Sequence, residues 1–320
     1  MARVRIKDIA EQAGVSAATV SRYLNNTPGA MTDETRARIA EVVERTGYRP
    51  LAAARSLRTD RSQLLGVVLA DISNPYSSAM LEALSHEAAA RGYSLITAVS
   101  GNDCDAEAAA VERLVASGAD ALVVNTCGGN DRTLRETNLR LPVVLLDRDV
   151  TGGGLDLATS NNKELVGGLV EELAGCGCEK IRLITEADQS SSIRRERAAR
   201  FLEDTAALGI DGKVVELADG TACLETGTEV GYIAINGLMF LRLAEMLQAQ
   251  GVTSARVATF DDFAWNRVIM GGVTCAAQDV EGIAEAVVDR ALSRIDEPKA
   301  APARLEVPGR IIARASTARS

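Results

Sequence analysis

Apolar residues recur along this chain in two rhythms. Over the first fifty residues the spacing is helical: Ile6, Ile9, Ala10 and Ala13 fall on one face of a short helix and can pack against Val15 and Val20 of a second. Gly14 sits at the turn between them, and Ser16 stands where its hydroxyl can accept from the unpaired first-turn amides of a helix running from about Ala17 to Leu24. Thr32, followed by Asp33 and Glu34, opens a third helix whose apolar face is Ile39, Val42 and Val43 and which ends near Gly47. A three-helix module is complete by Tyr48.

From Leu64 the rhythm changes. Short apolar runs at 64–69, 94–97, 121–124, 143–146, 181–184 and 257–260 read as buried strands, and helical patterns such as Ser78 to Arg91 and Ala106 to Ser117 lie between them. Alternation of this kind implies a parallel sheet with helices on both faces, and a ligand crevice at the carboxyl ends of the strands. The 320 residues, 47% of them hydrophobic, leave room for the head and roughly two α/β subdomains. No apolar run approaches the ~20 residues of a membrane span, and the N-terminus lacks the apolar core of a signal peptide. A cytoplasmic protein without a membrane partner is the expectation.

The first two helices form the pattern of a helix-turn-helix, in which the start of the second helix meets base edges in the major groove. Ala17, Ala18 and Arg22 are then candidate readers, whereas Thr19 and Ser21 suit phosphate oxygens. Arg22 can pair bidentately with guanine, a contact worth about 1–3 kcal/mol of discrimination. The two alanines offer only apolar contact. Taken alone, the pattern also fits two amphipathic helices of an unrelated domain. Charge favours the DNA reading modestly: residues 1–61 carry eleven Arg and Lys against seven Asp and Glu, within a chain whose net charge is −9.

Arg49 to Arg58 opens with Pro50 and is rich in alanine, too short to hold as an isolated helix. On composition it reads as a linker. Leu57, flanked by Arg55 and Arg58, also has the chemistry of an apolar wedge for a minor-groove base step.

Catalytic chemistry finds little support. Cys104, Cys127, Cys176, Cys178, Cys223 and Cys275 are scattered and read as reduced, mostly buried thiols without a metal-site pattern. His86 is the sole histidine, and no nucleophile and base stand in a recognisable arrangement. The Gly152-Gly153-Gly154 run leads into no dinucleotide fingerprint and reads as a loop. Neither an enzyme nor a cofactor is expected.

The blocks Asp8-Ile9-Ala10 to Ser21-Arg22, Tyr48-Arg49-Pro50 with Ala54-Arg55-Ser56-Leu57, Asn74-Pro75-Tyr76, Leu146-Asp147-Arg148, Phe260-Asp261-Asp262 and Thr274 to Gln278 together resemble the lactose repressor / galactose repressor (LacI/GalR) family of bacterial transcription regulators over essentially the whole chain. The resemblance implies an all-α helix-turn-helix domain (1–47), a hinge helix or linker (48–61), and a periplasmic-binding-protein-like α/β body (62–320) of two doubly wound parallel-sheet subdomains. The first would span about 62–160 and 276–300, the second about 161–275 and 301–320. It implies DNA contacts from Lys7, Ser16, Ala17, Ala18, Thr19, Ser21, Arg22 and Asn25, and from Ala54, Leu57 and Arg58 of a hinge helix that pairs with its dimer mate. The effector cleft maps onto Tyr76, Asn125, Asp147, Arg148, Arg195, Arg197, Asn236, Asp261 and Trp265.

The resemblance thus implies a homodimeric, ligand-responsive regulator, read as a repressor, on a pseudo-palindromic operator. Arg148 with Arg195 or Arg197 would place two guanidinium groups in one cleft, which is costly unless an anion accompanies them. The expected effector is therefore a sugar acid or a phosphorylated sugar. The chain departs from the family pattern at Gly237, where an aspartate is usual, and at Ser77, where a second aromatic is common. Residues 210–232 are also short for a strand, a helix and a lead-in, so the second subdomain either lacks a helix there or folds differently. A sugar-binding transport protein would share the body but has no use for residues 1–61.

Overall fold

The structure is a computed structural model that describes residues 4–24, 27–48, 61–186, 191–217, 224–252 and 255–318. The chain divides between Ser62 and Gln63 into two compact units.

In the first unit, α1 (Ile6–Ala13), α2 (Ala17–Leu24) and α3 (Asp33–Thr46) close around Ile9, Ala10, Ala13, Val20, Ile39 and Val42. The helix ends carry their own signals. The Asp8 carboxylate accepts from the Arg5 amide at 2.7 Å, Ser16 Oγ accepts from the Thr19 amide at 3.1 Å, and Thr32 Oγ1 accepts from the Thr35 amide at 3.3 Å. Gly14 and Gly47 take the left-handed conformation that ends α1 and α3.

The second unit holds two six-stranded sheets. The first consists of β1 (Leu64–Leu69), β2 (Ser94–Val99), β3 (Ala121–Val124), β4 (Val143–Leu146), β5 (Asp156–Ser160) and β11 (Arg304–Val307), all parallel, in the order β11-β5-β4-β3-β1-β2. One face is covered by α4 (Pro75–Ala90) and α10 (Val280–Asp296), the other by α5 (Cys104–Ala116) and α6 (Asp131–Asn138). Alternate residues of each strand therefore enter different cores. Leu65, Val67 and Leu69 pack with Met80, Leu84 and Val287, while Val68, Leu122 and Val124 pack with Val111, Leu114 and Leu134. Cover on both faces is why these strands read as unbroken apolar runs.

The second sheet consists of β6 (Lys180–Thr185), β7 (Asp211–Glu216), β8 (Val230–Ala234), β9 (Arg256–Phe260), β10 (Thr274–Ala277) and β12 (Arg310–Ile312), in the order β12-β10-β9-β8-β6-β7. Its strands are parallel except β12, which runs antiparallel to β10. Helices α7 (Asn162–Gly175), α8 (Ser192–Ala207) and α9 (Gly237–Ala249) pack on it. Among the described residues, no helix is long and apolar enough to cross a membrane.

The chain passes between the sheets three times: after β5, after β10, and between β11 and β12. The last passage corrects an expectation. Residues 301–320 do not belong wholly to the second subdomain, because β11 pairs with β5 in register Arg304 to Leu157, and the crossing falls at Pro308-Gly309. Likewise β10 belongs to the second sheet, so that passage lies at 278–279 rather than at 276.

Between β7 and β8 the described residues contain no helix. An ion-pair cluster around one buried arginine stands on that side of the sheet instead. Arg182 on β6, 3% exposed, donates to both Glu225 carboxylate oxygens at 2.5 and 3.0 Å and to the Asp211 carboxylate at 2.9 Å. The Tyr232 hydroxyl donates to the Glu225 carbonyl at 2.5 Å.

A second buried cluster ties α10 to the first sheet. Asp156 at the start of β5, 1% exposed, accepts from Arg290 Nε at 2.6 Å, pairs with Arg294 Nε at 3.1 Å and accepts from the Ala303 amide at 2.9 Å. Removing its carboxylate strands two guanidinium groups, Arg294 nearly fully enclosed. Asp156→Ala is expected to lower unfolding stability by about 3–5 kcal/mol, measured by urea denaturation. A loss under about 1 kcal/mol would contradict the assignment of this cluster as the tie.

Candidate functional site

The carboxyl ends of the two sheets face one cavity. Asp147 directly follows β4 and Asp261 directly follows β9, and both aspartates adopt left-handed backbone conformations, φ +65° and +68°. Such conformations are costly for residues other than glycine, asparagine and aspartate, and they cluster at functional sites. Both carboxylates are nearly enclosed, and both line the cavity with Tyr76, Ser77, Asn125, Arg148, Arg194, Arg197, Asn236 and Gln278. The free volume is about 50 Å³, so the two subdomains are drawn close together here. Next to it lies a larger cavity of about 470 Å³ that shares Tyr76, Asp261 and Gln278.

Arg197 is the most constrained of these residues. Its Nε donates to Asn162 Oδ1 at 2.8 Å, its Nη1 donates to the Ile235 carbonyl at 2.9 Å, and the guanidinium lies over the Phe260 ring at 3.7 Å. Asp261 accepts from Gln278 Nε2 at 2.7 Å. Burial raises its carboxyl above the usual carboxylate range, opposed by the nearby Arg197 charge. Tyr76 comes from the first turn of α4, whose N-cap Asn74 accepts from the Tyr76 amide at 3.0 Å. Its hydroxyl is buried without a hydrogen-bond partner among the described residues. Burial pushes that hydroxyl well above its ordinary pKa, Asp147 and Asp261 add to the shift, and Arg197 opposes it.

Other expected residues take different parts. Asn125 donates to the Leu146 carbonyl at 2.9 Å, and Asn236 both caps α9, accepting from the Met239 amide at 2.9 Å, and donates to Glu186 at 2.9 Å. Arg148 donates to Asn102 Oδ1 and to the Thr126 carbonyl, each at 3.1 Å. Arg195 is exposed and does not line the cavity. On a helix it lies about 200° from Arg197, whereas Arg194, three residues before Arg197, shares its face and pairs with Glu186 at 3.1 Å. Trp265 is also absent from the lining. It packs against Phe263, ring centroids 4.6 Å apart with the planes tilted by 36°, and against the core of the second sheet.

Sequence reasoning missed Arg194, Gln278 and Phe263. The helical period around Arg197 carried the signal for Arg194, and Gln278 stood inside a matched block. Phe263 explains Gly237, because a Cβ at that glycine would overlap the Phe263 ring.

In the head, Lys7, Ala18 and Arg22 are exposed, and Ser16 is exposed but already engaged with Thr19, Oγ to Oγ1 at 2.9 Å. Thr19 and Ser21 are half-buried. Ala17 packs partly against the head core, so Ala18 and Arg22, one helical turn apart, form the outward edge of α2. Asn25, Ala54, Leu57 and Arg58 lie outside the described residues.

A three-helix DNA-reading head and a two-sheet body with a polar interior cleft define a class: a DNA-binding regulator with a small-molecule-binding domain. The comparisons place it further. Residues 5–50 match the model of bacterial regulatory proteins of the lacI family, residues 62–240 that of periplasmic binding proteins and the sugar binding domain of the LacI family, and residues 170–317 that of a periplasmic binding protein-like domain. The chain is 34% identical to the HTH-type transcriptional regulator PtxS of Pseudomonas plecoglossicida, over 98% of this chain and 96% of that protein. It is 30% identical to the HTH-type transcriptional regulator KdgR of Bacillus subtilis, over 97% of each. The crystal structure of the Lac repressor dimer bound to operator and the anti-inducer ONPF shares the fold, with a TM-score of 0.87 at 21% identity over 99% of both chains. The chain belongs to the LacI family and is a transcriptional regulator, so the transport-protein alternative is not favoured.

A buried hydroxyl without a partner costs about 1–3 kcal/mol. Tyr76→Phe is therefore expected to leave the ligand-free protein as stable as the wild type or up to about 1 kcal/mol more stable, by thermal unfolding. A clear loss of stability would mean that the hydroxyl already has a partner.

Proposed function

We propose that this regulator binds a pseudo-palindromic operator as a homodimer and that a sugar acid or a phosphorylated sugar, held in the cleft, controls that binding. The unpartnered Tyr76 hydroxyl between Asp147, Asp261 and Arg197 carries the effector reading: it is a buried polar atom awaiting a ligand oxygen. Aspartates suit the hydroxyls of a sugar. Arg148, Arg194 and Arg197 all line the same small cavity, Arg194 paired with Glu186, and guanidinium groups there suit a ligand bearing an anionic group. Arg194, not Arg195, is the arginine that stands in the lining beside Arg197.

Dimerisation is supported by a groove of about 680 Å³ in which Leu241, Leu247, Val252, Ile269 and Met270 lie beside Glu245, Gln248 and Arg256. A second copy of the chain is the proposed occupant. No catalytic step is assigned to the cleft, whose residues suit binding, and the proposed site of action is the cytoplasm. Because the cavity is narrow, effector exchange requires the subdomains to part. The effector's differential affinity for the closed and open forms then sets its leverage on DNA, typically about 1–3 kcal/mol.

The test is selection of binding sites from random duplexes at several salt concentrations, with a thermal-shift panel of neutral sugars, gluconate, glucuronate and sugar phosphates. A palindromic motif and stabilisation by an acidic ligand are expected. Recovery of no motif, with only salt-sensitive binding, would refute the operator reading, and stabilisation by neutral sugars alone would refute the acidic effector. Arg22→Ala is expected to cost about 1–3 kcal/mol on the selected duplex and to relax the base preference at one position per half-site. Equal weakening on all sequences would instead make Arg22 a phosphate contact.

A further inference from the structure

Two of the cysteines stand together at the edge of the cleft. Cys104 opens α5 and is exposed, Cys127 lies in the loop after β3 and is buried, and their sulfurs are 3.3 Å apart. One scaffold holds both. The fully enclosed Glu107 carboxylate accepts from the Cys127 amide at 2.6 Å and from Thr126 Oγ1 at 2.9 Å, and Asn130 Nδ2 donates to the Cys104 carbonyl at 2.6 Å. Gly128 and Gly129 follow Cys127 with φ of +84° and +112°, so this loop takes conformations that only glycine adopts readily. A Cβ at Gly129 would come within 3.1 Å of Cys104 Sγ, so glycine there leaves the sulfur room.

The pair is also joined to the cleft. Arg148 donates to Asn102 and to the Thr126 carbonyl. Asn102 precedes Cys104 by two residues, and Thr126 immediately precedes Cys127. A disulfide requires sulfurs about 2.05 Å apart, so bonding the two cysteines draws together the two segments that hold this guanidinium.

We propose that Cys104 and Cys127 are a redox-active dithiol whose reversible disulfide re-seats Arg148 and thereby weakens binding in the cleft. The oxidant is a low-molecular-weight disulfide. Exposed Cys104 reacts first: its thiolate bonds to one sulfur of the oxidant, whose S–S bond breaks, and the departing thiolate takes up the Cys104 proton. Cys127 then attacks Cys104 Sγ, breaking the mixed disulfide, and its proton passes to the second departing thiolate. The protein loses two electrons and one small disulfide becomes two thiols. Burial holds the Cys127 thiol far above its ordinary pKa, so it does not start the exchange; it resolves the mixed disulfide because its sulfur lies 3.3 Å from Cys104 Sγ and it gives up its proton as it attacks. Proximity of the sulfurs, 3.3 Å apart, drives the reaction. In a reducing compartment such a bond is transient and serves sensing.

The disulfide stands by itself, whereas its effect on effector affinity rests on the proposed acidic-ligand cleft. The full-length protein is treated with oxidised glutathione and mapped by non-reducing peptide mass spectrometry, with hydrogen exchange on the same samples. The wild type is expected to yield Cys104 joined to Cys127, reversed by dithiothreitol, with altered deuterium uptake over 126–130 and 147–149. Cys127→Ser is expected to stop at a glutathione adduct on Cys104, and Cys104→Ser to show neither product nor altered uptake. A stable glutathione adduct on wild-type Cys104, or an unreactive Cys104, overturns the dithiol; a cross-link that leaves uptake over 147–149 unchanged overturns the re-seating. Oxidation is expected to weaken binding of the acidic ligand from the thermal-shift panel at least tenfold in the wild type and not in Cys104→Ser. Equal weakening in both overturns the link to the cleft. If no acidic ligand binds the reduced protein, the cleft reading falls, while the peptide map and the exchange data still decide the disulfide and the re-seating.

Discussion

The body depends on how one buried cation is held. A guanidinium withdrawn from water is costly unless its donors and its charge are met. Arg197 is met by three elements at once: Asn162 at the start of α7, the Ile235 carbonyl at the end of β8, and the Phe260 face at the end of β9. These are the chain's first entry into the second sheet and the ends of two of its central strands. Satisfying Arg197 therefore fixes the mouth of the second subdomain. It also supplies the positive charge against which Asp261 and Tyr76 are poised. The mouth of the first subdomain is fixed differently, by backbone: Asp147 turns out of β4 in a left-handed conformation, and Asn125 bonds across to the Leu146 carbonyl.

That arrangement gives the cleft the physical requirements of a switch. Each subdomain is closed by its own two-faced core, so the rigid parts lie on either side of the gap and three chain passages join them. A ligand that satisfies Tyr76 and bridges Asp147 of one subdomain and Arg197 of the other gains most when the gap is shut. Binding energy is then spent on a change of relative position, not on reshaping either core, which close packing resists.

How far the fold is legible in the sequence depends on what each residue has to satisfy. Strands covered on both faces are readable as apolar runs, and the head is readable from Ser16, Thr32, Gly14 and Gly47, whose roles are local. β5 and β7 do not stand out, because Asp-Leu-Ala-Thr-Ser and Asp-Gly-Lys-Val-Val-Glu carry too few apolar residues; Asp156 and Asp211 are there to meet Arg290, Arg294 and Arg182 from distant parts of the chain. The passage through Pro308-Gly309 is hidden for a related reason: β11 is half exposed, and only its partner β5 reveals which sheet it joins. In the cleft, the motif blocks supply Tyr76, Asp147 and Asp261, and the family resemblance supplies Arg197. Arg195 is suggested by proximity in sequence, where helical phase selects Arg194.

Two of the three departures from the family pattern are each answered by a side chain elsewhere. At Gly237 the absent side chain leaves space that the Phe263 ring fills, which brings an aromatic to the wall of the larger cavity. Between β7 and β8 the shortened connection is met by Arg182, whose guanidinium bonds to Asp211 and Glu225 and to the Asp211 carbonyl at 2.6 Å. A charged residue in the middle of an otherwise apolar strand looks like an error in the pattern when the strand is read alone. It becomes intelligible once the connection is short, because Arg182 pins to the sheet the Glu225 segment leading into β8, and the Tyr232 hydroxyl bonds to the same residue's carbonyl. Arg182 thus holds the described part of this connection at a distance from the strand ends that form the cleft. Those ends are fixed by Arg197 from the opposite end of the same sheet, so the two sites do not compete for the same groups.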